Sequence, residues 1–134
     1  MKRNPIFNST INRLTFDKVN LPTAVWGDKN AAVSKLLDWL EAARKVVISP
    51  YSNPNFSYVG MMLPVLEMYD GRRYIRVDKV HSDRRSVYAF IDKTNGDILR
   101  AAGYKKPAKH ARGNIFDQWN GTSMIEPYGI MYLQ

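Results

Sequence analysis

The chain contains no cysteine. Disulfides, thiolate nucleophiles and thiolate metal sites are therefore excluded, and an intracellular, reducing compartment is the simplest fit. Histidine is almost as scarce, and His81 and His110 lie too far apart in sequence to suggest a transition-metal site. No apolar run approaches the roughly 18 residues of a membrane span. The segment Met1-Lys2-Arg3-Asn4-Pro5 is charged but lacks the apolar stretch of a secretory signal. Neither a cofactor nor a membrane is expected. Acidic residues are few and scattered, which argues against a two-metal nuclease built on a carboxylate cluster. Phosphate-binding, dinucleotide-binding, zinc-protease and nucleophile-elbow motifs are absent as well.

What is present is positive charge. Twenty Lys and Arg face twelve Asp and Glu, for a net +8 over 134 residues. The sequence pI near 9.8 lies above the value of about 9 that marks nucleic-acid binders when the cations cluster. The length fits one domain, and the expectation is a single nucleic-acid-binding domain over residues 1–134. Residues 1–27, interrupted by Pro5 and Pro22, read as an extended arm with a short strand from Phe16 to Leu21.

From Ala31 to Val47 the apolar residues Val33, Leu36, Leu37, Leu40, Ala43 and Val47 recur at three- and four-residue spacing. This predicts a long amphipathic helix over about 31–47. Asp28 or Asn30 can cap its start, and Pro50 and Pro54 forbid continuation. The period then drops to two. Tyr58–Tyr69, Arg72–Val80, Val87–Ile91 and Asp97–Arg100 read as strands, separated by turns at Asp70-Gly71, Ser82–Arg85 and Lys93–Gly96. The fold class is α+β, with an antiparallel meander of about four strands. Lys105 to Arg112 reads as a shaped loop, Gly113–Asn120 as loop or helical turn, and Gly129–Leu133 as a short strand. Trp26 and Trp39 read as packing residues. Trp119, in a polar stretch, fits a platform as well as a packing role.

No acid occurs between Asp97 and Asp117, whereas Arg100, Lys105, Lys106, Lys109, His110 and Arg112 all do. Tyr104 precedes this run, and Asn114, Phe116 and Trp119 follow it. Cations track phosphates while flat rings offer unpaired bases a stacking surface, so the combination suits a single strand better than a duplex. Arg72, Arg73, Arg76, Lys79, Arg84 and Arg85 form a second group on the hairpins, diluted by Asp70, Asp78 and Asp83, that could extend the track. Two alternatives stand beside this reading. One is a structural or interaction protein whose basic face meets an acidic protein. The other is a small metal-independent nuclease with His110 as general base.

The stretch from Val87 to Asp117, with its Lys106-Pro107-Ala108-Lys109 and Ala111-Arg112-Gly113-Asn114 order, resembles a family of small basic proteins of tailed bacteriophages, including large nucleus-forming phages. The ending Pro127–Leu133 is similar to that family's carboxyl terminus, so the likeness runs over residues 86–133. Many relatives would carry tryptophan where this chain has Tyr104. The resemblance implies a whirly-like fold, single-stranded RNA (phage transcripts) in preference to ssDNA as ligand, and a homo-oligomer. It also implies a location in the cytoplasm of the infected bacterial host, at a phage replication compartment.

Overall fold

A computed structural model describes residues 4–8, 11–52, 63–103, 106–122, 125–126 and 129–130. Two short helical turns, α1 (Arg13–Phe16) and α2 (Thr23–Trp26), lead into the long helix α3 (Lys29–Ile48), which closes in a 3-10 turn at Ser49–Ser52. Five strands follow: β1 (Val65–Asp70), β2 (Tyr74–His81), β3 (Arg84–Asp92), β4 (Asp97–Ala101) and β5 (Pro107–Asn114). They form one antiparallel sheet in sequence order, and β6 (Ile125–Glu126) and β7 (Gly129–Ile130) pair separately. The molecule is thus α+β, with α3 packed on the sheet. No helix among the described residues is long and apolar enough to cross a membrane.

Helix α3 begins where the sequence allows it, with Asp28 Oδ1 accepting the Ala31 amide at 2.8 Å. Its buried stripe is Ala32, Val33, Leu36, Trp39, Leu40, Ala43 and Val47. Leu37, assigned to this stripe from its spacing, is 38% exposed. At about 100° per residue it falls roughly 100° from the centre of the stripe, whereas Trp39 falls only about 60° away. The stripe meets Leu66, Met68, Ile75, Val77, Ala89, Ile91 and Ile98 in one core.

Residues 4–8 and 11–27 are folded onto this core, where the sequence suggested an extended arm. The Ile6 amide donates to the Met68 carbonyl and the Met68 amide to the Phe7 carbonyl, at 2.7 and 2.8 Å, stitching the segment onto the outer edge of β1. Ile6, Phe7, Phe16 and Val19 are buried. The expected strand Phe16–Leu21 is absent: Phe16 ends α1, and Val19 donates back to its carbonyl. A spacing of three between these two apolar residues is served by a turn, which sends both inward.

The turns differ in detail from expectation. Arg84 and Arg85 belong to β3, so the β2–β3 turn shrinks to Ser82-Asp83, with Ser82 at φ 58°. The Asp70-Gly71 turn forms without a positive φ at Gly71. Glycine is required there because a Cβ would lie 2.5 Å from the Tyr74 carbonyl oxygen. Of the strand expected over Tyr58–Tyr69, the structure describes β1, and residues 53–62 lie outside the described residues. Of the terminal strand expected over Gly129–Leu133, Gly129–Ile130 is present as β7 and the rest lies outside them.

Candidate nucleic-acid interface

The basic segment is a strand rather than a loop. Pro107–Asn114 pairs with β4 through Asp97↔Asn114, Ile98↔Gly113, Leu99↔Ala111 and Ala101↔Pro107, with two register irregularities. Edge position explains why Pro107 and Gly113 are tolerated: proline is confined to sheet edges and strand starts, and glycine marks close backbone approach. The β4–β5 connection is closed by Ala102 and Gly103 amides donating to the Lys106 carbonyl. Tyr104 and Lys105 lie outside the described residues.

Lys106, Lys109 and His110 are exposed on this hairpin, and Arg100 and Arg112 are half-buried. Arg112 Nη1 donates to the His110 carbonyl, which folds its side chain back along the strand. Among the described residues, Lys106 and Lys109 enter no ion pair, while six other cations do: Lys29, Arg44, Arg73, Arg76, Arg85 and Lys93. Charge on an edge strand also discourages pairing with another chain. That purpose does not require the whole acid-free interval.

The second basic group divides. Arg85 is partly exposed but already engaged by partners on β1 and β2, with Nη1 2.9 Å from Glu67 and 3.0 Å from Asp78, and it donates to the Tyr69 hydroxyl. These partners hold its guanidinium pKa well above the ordinary value against the opposing effect of burial. Arg73 pairs with buried Asp92 at 3.3 Å yet stays largely exposed. Arg72 and Arg84 are exposed. Because the meander alternates its turns, Arg72 and Arg73 share one end of the sheet with Asn114 and Trp119. Arg84, Arg85 and Lys106 occupy the other end, and Lys109, His110 and Arg112 run between.

Beyond β5 the chain forms a hydrogen-bonded loop. Asn114 Nδ2 donates to the Asn95 carbonyl at 2.8 Å and to Asp97 Oδ1 at 3.0 Å, while its Oδ1 accepts the Phe116 amide. Both ends of its side chain are used internally, which ties the end of β5 to the β3–β4 turn and to the loop that follows. Asp117 accepts the Trp119 and Gly121 amides, each at 2.9 Å, and the Asn114 amide at 3.4 Å. These bonds, Gly121's foremost, hold its carboxyl below the ordinary 3.8. Because the folded-state pKa is the lower one, the stabilisation is in place at neutral pH and is lost as pH falls through the lowered value. Phe116 packs edge-on against buried Trp26 at 4.9 Å, with Lys35 Nζ 5.9 Å from its ring centre. Trp119 is 61% exposed.

Nothing in the sequence flagged Asp117, although the Asn-x-x-Asp spacing of 114 and 117 is the signal that could have done so. Gly121 completes the loop at φ 72°, and a Cβ there would stand 2.9 Å from Ile98 Cγ1 and 3.2 Å from the Asn114 carbonyl. Gly121→Ala is expected to cost about 2–3 kcal/mol, from left-handed backbone plus overpacking against a core residue. Urea denaturation would measure it, and a loss below about 0.5 kcal/mol would show that the loop shifts freely.

Fold and charge layout together define a small basic α+β protein with one cationic sheet edge. The chain belongs to the DUF7717 family, a family of unknown function, whose match spans residues 30–129. No curated protein and no solved structure matches it.

Proposed function

We propose that this protein is a non-catalytic binder of single-stranded nucleic acid, RNA in preference to ssDNA, with the β4–β5 hairpin as its phosphate track. The observation that carries the reading is the separation of charge. Arg76 and Arg85 in β2 and β3, and Arg73 in the turn before β2, are matched by carboxylates. Among the described residues, Lys106 just before β5 and Lys109 on it enter no ion pair, and Arg72 and Arg84 at the two ends of the sheet enter none either. Eight residues of strand span about 25 Å, enough to follow several phosphates. Trp119 stands beyond the Asn114 end, where a base could stack.

The phage setting, the whirly-like kinship and the host-cytoplasm location enter this proposal from the sequence resemblance alone. A homo-oligomer belongs to it too, but through a surface other than β5. Two antiparallel β5 strands would set like charges against each other.

A competition assay tests the reading: labelled unstructured ssRNA challenged with ssDNA, dsDNA and dsRNA at physiological salt. The expected order places ssRNA first and both duplexes last, with affinity falling steeply as salt rises. Equal or tighter duplex binding would sink it. The open edge of β5 also favours one other reading, an acidic protein segment adding as a sixth strand. Capture of a protein partner that survives nuclease treatment, without oligonucleotide binding, would select that one.

A further inference from the structure

The loop after β5 is built around one carboxylate, and what it displays is a tryptophan. Asp117 Oδ1 accepts the amides of Trp119 and Gly121. On the far side, the Trp119 carbonyl accepts from the Thr122 amide at 3.1 Å and from its hydroxyl at 2.6 Å. The Asp117 amide donates to the Asn114 carbonyl and the Asn120 amide to the Asp117 carbonyl. Asn120 and Gly121 both adopt positive φ, 55° and 72°, which turns the chain back so that the Gly121 amide reaches Asp117. The backbone of residue 119 is thus fixed at both its donor and its acceptor, yet its indole is 61% exposed.

Exposed tryptophan on a mobile loop would be unremarkable. On a backbone fixed at both donor and acceptor, only the side-chain torsions of the indole remain to be ordered on binding, which lowers the cost of using it as a contact surface. The placement of a carboxylate beside a cationic strand would otherwise be counterproductive for a polyanion binder, since Asp117 follows Arg112 by five residues and repels phosphate.

We infer that Asp117 is a positioning residue, which accepts an electrostatic penalty to hold Trp119 as the stacking platform for one unpaired base at the Asn114 end of the β5 track. The inference rests on the single-strand reading above and deepens it. It makes a prediction of unusual sign. On charge alone, removing Asp117 should strengthen binding to a polyanion; as a positioning residue, its removal weakens it.

Two measurements on the full-length protein test this. Backbone 15N relaxation of the free protein reads loop order directly. Trp119 is expected to be rigid in the wild type (order parameter about 0.85) and mobile (below about 0.6) in Asp117→Ala. Asp117→Asn, which retains the acceptor oxygen, should keep it rigid. Fluorescence polarisation with a labelled oligouridylate then reads binding. Trp119→Ala and Asp117→Ala are each expected to weaken it about tenfold, with Trp119→Phe retaining most of the affinity. Asp117→Asn should bind at least as tightly as the wild type, because it loses the repulsive charge and keeps the platform. Asp117→Ala binding as well as or better than wild type overturns the inference and leaves the single-strand reading standing. So does equal mobility of Trp119 in wild type and Asp117→Ala, or a Trp119→Ala variant that binds normally. Should wild type fail to bind the oligouridylate, the reading itself falls, and the base-platform inference with it. Far-UV circular dichroism and a matched melting curve separate a misfolded variant from a loosened loop. If Asp117→Ala does not fold, Asp117→Glu carries the test: it keeps the charge but displaces the acceptor of the Trp119 and Gly121 amides, so it is expected to loosen Trp119 and weaken binding, and wild-type affinity in that variant overturns the inference.

Discussion

Reversing Lys106 and Lys109 to glutamate is expected to weaken ssRNA binding about a hundredfold at physiological salt. Each phosphate contact on a single strand contributes roughly 0.7 to the slope of log affinity against log salt. Losing two contacts by alanine substitution should therefore reduce that slope by about 1.4, and lower the affinity about tenfold near 0.15 M. Reversal adds repulsion of similar size to the lost attraction. The matching control is Lys18→Glu with Lys45→Glu, two exposed lysines away from the hairpin, which changes net charge by the same amount. If that control loses as much affinity as the hairpin variant, binding follows overall charge and the β5 track has no special part in it. Polarisation titrations at four or five salt concentrations provide both the affinity and the slope.

Asp78→Ala is expected to destabilise the fold by about 3 kcal/mol. The carboxylate is fully buried, on the sheet face opposite α3, and binds Arg76 Nε at 2.9 Å and Arg85 Nη1 at 3.0 Å. Removing one partner of a buried ion pair commonly costs about 3–5 kcal/mol, because the remaining charge stays desolvated. The lower end applies here. The Arg85 side chain is 39% exposed and retains Glu67 at 2.9 Å, so solvent and the second carboxylate absorb part of the loss. For a chain of this size the melting temperature should fall by about 10 °C. Chemical denaturation with an unchanged m-value would confirm a two-state loss of that size. A change below about 1 kcal/mol would show that the two arginines are held by their surroundings rather than by Asp78.

How far the sequence discloses this molecule depends on how local the cause of each element is. Helix α3 is legible because its stripe, its cap at Asp28 and the prolines after it all lie within one stretch. Strands β2, β3 and β4 are legible for the same reason, since alternation and turn residues sit side by side. The edge strand β5 is not. Lys109-His110-Ala111-Arg112 carries no alternation, and Pro107 and Gly113 resemble loop residues; what makes it a strand is the neighbouring backbone of β4. The fate of Arg85 was equally hidden. Its link to Glu67 and Asp78 depends on three strands in register and on the irregularity between Val77 and Asp78. Of the proposed site, the cationic run and Trp119 could be read from the sequence. The role of Asp117 depends on a loop shape that no spacing rule states.

The seam between the first residues and β1 bears on how the chain reaches this structure. Strands β1 to β5 pair only with sequence neighbours, so each hairpin closes over a short interval and can form early. The contact of Ile6 and Phe7 with Met68 bridges about sixty residues, including the whole of α3. Loop-closure entropy makes it the most expensive contact in the sheet to establish, and the sheet it completes must exist before it can form. Docking of Ile6 and Phe7 on β1 should therefore come late in folding. A chain emerging from the ribosome cannot seat these two residues until β1 has followed them out, and until then Ile6 and Phe7 remain apolar surface in need of cover.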